Sequence, residues 1–175
     1  MFEDFDGKSP RVDPSAFVHE RAVLIGAVHI GPQSSVWPNV TLRGDDGPIE
    51  VGACSSIQDN SVIHCTEGMS VTRVGERVTV GHSVVLHGCT IHDEVLIGMG
   101  AVVLDNAIVE SGALVAAGTL VPPGKIVRAG TLVAGNPMRV LRECGDKDRE
   151  MISFSWKAYV ERTRQYLEAR RAPRG

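Results

Sequence analysis

At 175 residues and a net charge of −3, the chain has room for one domain with a sizeable core and lacks the basic surplus that would mark a nucleic-acid or polyanion surface. No apolar run approaches membrane-spanning length, and the acidic opening MFEDFDGKSP has no apolar stretch of the kind a secretory signal carries. Four cysteines (Cys54, Cys65, Cys89 and Cys144) stand at irregular spacings without a CxxC, so free thiols in a reducing cytoplasm are expected.

The composition combines 19 glycines and few aromatics with many Val, Ile and Leu. A repeat accounts for it. Aliphatic residues recur in steps of six at Val12, Val18, Leu24, Ile30, Val36 and Leu42. The register resumes at Val51, Ile57 and Ile63, and after an interruption at Val74, Val80 and Leu86. One five-residue step later it runs through Ile91, Ile97, Val103, Val109, Val115, Val121, Val127 and Val133. Neither the 3.6 period of a helix nor plain strand alternation produces this spacing. A coil of short strands does: one aliphatic per hexad points inward and stacks on its counterpart one coil away. Glycines as in Ile30-Gly31, Val80-Gly81 and Ile97-Gly98 suit the corners. The pattern resembles the hexapeptide-repeat family. That resemblance implies an all-β fold, a left-handed parallel β-helix with three hexads per coil, over roughly residues 11–140 of a single domain spanning 1–175. Gly135-Asn136-Pro137 resembles the family's exit from the last coil.

Beyond the repeat, Ile152, Trp156, Tyr159, Thr163 and Tyr166 fall on one helical stripe. Asp146 and Asp148 at its start and Arg164, Arg170 and Arg171 at its end suit the helix dipole. The expectation is a C-terminal helix over about 145–171 packed along the prism; a helix that merely caps or covers a face is the blander alternative.

The register places the histidines. His64 directly follows Ile63 and His87 directly follows Leu86, so both hold the same position on one face, one coil apart, about 5 Å. Two imidazoles so stacked can share a metal ion, whose Zn–N bonds are about 2.0–2.1 Å. His82, two residues after Val80, lies across a corner and should not easily reach that ion in its own chain. If it is a ligand, it serves a neighbouring subunit. His92, after Ile91, reads as a surface residue. A single histidine on such a surface is usually decoration; two in register with a third at the next corner make a ligand set the better reading.

The segments LRGDDG (Leu42–Gly47), SIQDNSVIH (Ser56–His64) and GHSVVLHG (Gly81–Gly88) together resemble the γ-class carbonic anhydrase family. The resemblance implies that His64, His82 and His87 bind a divalent metal, zinc with iron or cobalt as alternatives. Two ligands would come from one chain and one from its neighbour in a homotrimer. It implies reversible hydration of CO2 to bicarbonate, with no nucleic-acid or membrane partner. Arg43 and Asp45 match an ion pair near the metal and between subunits. Gln58 matches a group that hydrogen-bonds nucleophile or substrate, and Asp59 one that orients Arg43 or a ligand histidine. Asp46 and Glu67 match acidic positions for proton transfer, and Asn60 and Tyr159 are further matches. The loop after His64, CTEGMSVTRVGE, is shorter than in the family's well-known catalysts. Two rivals stay open: a metal-binding trimer without turnover, and a hexapeptide-repeat acyl-CoA transferase with a histidine base.

Overall fold

The hexad aliphatics form three stacked ladders, as expected. The structure is a computed structural model that describes residues 1–171; the last four residues of the single domain read as 1–175 lie outside the described residues. Val18, Val36, Ile57, Val80, Ile97, Val115 and Val133 pair in sequence down face a. Leu24, Leu42, Ile63, Leu86, Val103 and Val121 pair down face b. Val12, Ile30, Val51, Val74, Ile91, Val109 and Val127 pair down face c. Every rung is parallel, as a coil that always turns the same way requires. The inward side chains make one continuous core; only Val12 and Val18, in the first coil, are partly covered. The fold is the left-handed parallel β-helix of hexapeptide-repeat proteins, followed by a single helix.

Two features lie outside the hexad pattern. Phe2–Glu3 already pairs with Leu24 and Ile25. At the far end the chain leaves the coil after Ala134, and Arg139–Glu143 returns antiparallel against Thr131–Ala134.

The ladder carries its own stability. Ile97 is fully buried between Val80 and Val115. Ile97→Ala is expected to cost about 2–5 kcal/mol, read as a fall in denaturation midpoint at unchanged slope.

The three outer surfaces differ. On face a the outward residues Phe17, Ser35, Ser56 and Thr79 lie under the helix Asp146–Arg171. Ile152 and Thr163 are buried on its inner side, and Ile152 clusters with Leu114 and Cys144. Trp37 receives the edges of Tyr159 and Tyr166, and its indole N–H donates to Ser35 and Ser56. The helix start is fixed by Asp148, whose side chain reaches back to accept from the Gly145 N–H at 2.7 Å, one half of a capping box, and pairs with Arg142. Face c is polar outside over its first coils, with His29, Glu50 and Arg73 in one row, and turns apolar at Ile108 and Ile126. Face b presents Val23, Thr41, Val62, Val85, Val102 and Leu120 in one row, each half-buried or exposed and left uncovered by any element among the described residues. No helix among the described residues is long and apolar enough to cross a membrane.

Candidate metal centre

The hexad period breaks where the chain passes from face b to face c. Leu42 to Val51 takes nine residues, Ile63 to Val74 eleven, and Leu86 to Ile91 five. One corner therefore collects all the irregular backbone. The first insertion is a bulge in the long strand Thr41–Val51, where the register against Val23–Ile30 shifts. Gly44 permits it: a Cβ there would sit 2.7 Å from the Ala27 carbonyl oxygen. The bulge carries Asp45 and Asp46. The second insertion is the loop after His64.

Regular register delivers the histidines to this corner. His64 pairs with His87 at the ends of adjacent rungs. His64 Nε2 lies 3.2 Å from Asp45 Oδ1 and 3.1 Å from Asp46 Oδ2, and these three groups could together hold an ion. His87 Nδ1 lies 3.0 Å from Asp105 Oδ2. Carboxylates only accept, so these partners assign the N–H of each ring to that side. The other nitrogens, His64 Nδ1 and His87 Nε2, then carry the lone pairs and lie 3.3 Å apart. Two acceptors so placed call for a cation. The Arg43 guanidinium supplies part of that charge, 3.2 Å from His64 Nδ1 while it pairs with Asp45. A tetrahedral ion with Zn–N bonds of about 2.0–2.1 Å spaces its ligand nitrogens by about 3.3–3.4 Å. The histidine pair fits that edge.

Electrostatics sharpen the corner. Burial pushes the Asp45 carboxyl up, but hydrogen bonds from Arg43 and from the backbone N–H groups of Asp45 and Asp46 outweigh it, holding Asp45 below the usual carboxylate range. Cys65, fully buried beside His64, is driven the other way by burial and by the neighbouring acids. Its thiol therefore lacks the electropositive surroundings that mark a reactive cysteine.

The remaining expected residues, Glu67 apart, gather at the opposite edge of face b. His82 Nδ1 lies 3.0 Å from Asp59 Oδ2, so Asp59 partners a candidate ligand and not Arg43. Gln58 is buried at the end of its rung. Tyr159 stands beside Asp59: burial first, then that carboxylate, pushes its phenol up. Asn60 has a φ of 62° and accepts from Asn39 Nδ2, which makes it a corner of the coil. Glu67 is exposed on the loop, and among the described residues it makes no ion pair or hydrogen bond to the others. His92 is exposed on face c, as expected. The candidates thus form two half-sites, one along each edge of the uncovered apolar face.

Asp105 was not singled out in the sequence. Its signal was available: Val103 stacks on Leu86, which sets the residue two further on against the His87 turn.

A comparison with family models finds none that matches the chain. The chain is 45% identical over 157 residues to gamma carbonic anhydrase 1, mitochondrial, of Arabidopsis thaliana, covering 87% of this chain and 57% of that protein. It spans less than two thirds of the length of the plant relatives it matches. It is 39% identical over 166 residues to a carbonic anhydrase of Geobacillus kaustophilus, covering 95% of this chain and 91% of that one. Among solved structures it matches a hexapeptide transferase family protein from Anaplasma phagocytophilum with TM-score 0.91 and 41% identity, covering 94% of this chain and 97% of that chain. The stacked histidines, the acidic bulge beside them and these relatives lead to one assignment: the chain belongs to the γ-class carbonic anhydrase family of hexapeptide-repeat proteins.

Proposed function

We propose that this protein catalyses the metal-dependent, reversible hydration of CO2 to bicarbonate, at sites completed between the subunits of a homotrimer. The observation that carries the reading is the closeness of His64 Nδ1 and His87 Nε2, 3.3 Å apart, with His87 backed by Asp105 on its far side. His82 is the third ligand, contributed by a neighbouring subunit. Its Nδ1 is engaged by Asp59, which leaves Nε2 to coordinate. An intersubunit site explains why one set of candidates occupies two edges of a face, and the uncovered row from Val23 to Leu120 supplies the apolar contact that brings opposite edges together.

A divalent ion held by three imidazoles, zinc or alternatively iron or cobalt, supplies Lewis acidity that lets water act as a nucleophile near neutral pH. The chain does the rest. Gln58 orients the nucleophile or the CO2. Addition of water to the CO2 carbon gives bicarbonate and one proton. Asp46, on the bulge beside His64, is the nearest acceptor for it, and the exposed Glu67 passes it to solvent. Tyr159 and Asn60 shape the His82 side. Arg43 and Asp45 hold the corner together until assembly. The four free cysteines suit a reducing compartment, the cytoplasm.

The test is metal content per chain of protein prepared without chelator, followed by CO2 hydration on the same sample. One ion per chain with turnover well above buffer supports the enzyme. One ion per chain without turnover supports the quiet metal-binding relative. No ion after addition of zinc, cobalt or anaerobic iron overturns the reading and favours acyl transfer.

A further inference from the structure

We propose that Asp105 is a positioning residue for His87 and that it is held in place by the loop after His64, through Thr66 and Ser70. The inference rests on the reading of His87 as a metal ligand. An imidazole turns broadly about its last side-chain torsion, so a ligand histidine needs a second contact to fix which nitrogen it presents. Asp105 Oδ2 provides it at 3.0 Å.

The other oxygen shows that the carboxylate is itself fixed. Asp105 Oδ1 accepts from Ser70 Oγ at 2.6 Å and from Thr66 Oγ1 at 3.2 Å. Ser70 Oγ in turn accepts the Thr66 backbone N–H at 3.0 Å, so its own proton is free to go to Asp105. The direction of every bond in the chain follows. Loop hydroxyls donate to one carboxylate oxygen, His87 donates Nδ1–H to the other, and Nε2 is left bare for coordination.

Gly88 is an independent sign of how closely the cluster is built. It has a φ of +62°, and a Cβ there would lie 2.1 Å from Ser70 Oγ and 2.2 Å from Asp105 Oδ1. Only glycine admits loop and carboxylate together beside His87. The short loop therefore has a role besides connection: it sets the orientation of a ligand one coil away.

The experiment measures zinc affinity by chelator competition and the visible spectrum of the cobalt-loaded protein, for wild type and for Asp105→Ala, Asp105→Asn, Ser70→Ala and His87→Ala. Asp105→Ala is expected to weaken zinc binding by about 10–100-fold and to alter the cobalt bands, while the melting temperature of the metal-free protein stays close to wild type. Asp105→Asn, which keeps an acceptor oxygen for His87, should recover part of the affinity. Ser70→Ala should give a smaller loss in the same direction. Unchanged affinity and spectrum in Asp105→Ala, beside a lowered melting temperature, would reduce Asp105 to a loop latch and overturn the proposal. If His87→Ala itself leaves zinc affinity unchanged, the ligand assignment fails and the proposal falls with it.

Discussion

Replacing His64 and His87 together by alanine is expected to remove metal binding while the β-helix stays folded. Both rings sit outside the core, at the outer ends of rungs whose inward residues, Ile63 and Leu86, are fully buried and untouched by the change. Loss of two of three ligands should weaken zinc binding at least about a thousandfold, roughly 4 kcal/mol. Apo stability should change little: the bonds lost, from His64 to Asp45 and Asp46 and from His87 to Asp105, lie at a partly exposed corner outside the core, and the crowding of two acceptors 3.3 Å apart is relieved. Metal analysis after dialysis and circular dichroism of the same sample check both halves. Full metal occupancy in the double variant would sink the site assignment.

The second large effect is expected from charge on face b. Val85 and Val102 are cross-strand neighbours in the middle of the uncovered row, and both are only partly buried in the single chain. Val85→Glu with Val102→Glu places two like charges opposite each other on a surface that the trimer would remove from water, which is costly for unpaired carboxylates. The variant should sediment as a folded monomer. Its zinc affinity should drop by about a hundredfold or more, because His82 of the next chain no longer arrives, although no ligand has been changed. A trimer that persists in sedimentation would show that subunits meet elsewhere.

The prism was legible from the chain because one inward aliphatic per hexad must stack on its neighbours, and no other backbone rewards that spacing. The same register places His64 over His87 from sequence alone, since a strand pair has no freedom to shift one residue without turning its side chains inside out. What the hexads could not show lies where they break. Asp105, Thr66 and Ser70 meet through an irregular loop whose path has no period to read. The return strand Arg139–Glu143 and the pairing of Phe2–Glu3 depend on edge hydrogen bonding, which leaves little mark in a hydrophobic pattern. The Asp59–His82 contact joins corners of successive coils, where side-chain direction follows the turn rather than strand alternation. The two-edge distribution of site residues became visible once the faces could be compared side by side.

The helix that closes face a has a consequence for how the molecule comes apart. A stack of coils in which each touches only its neighbours is expected to fray from either end, one repeat at a time. Here Arg170 donates to the Val18 carbonyl at 2.9 Å and lies 4.2 Å over the Phe17 ring, while the helix begins beside Leu114 and Cys144 near the last coil. The helix spans the stack and clasps its first rungs. The two ends cannot open independently, so an otherwise linear array should melt as a single cooperative unit. A ribosome-bound chain, by contrast, would keep its first coils unclasped until the helix Asp146–Arg171 had emerged.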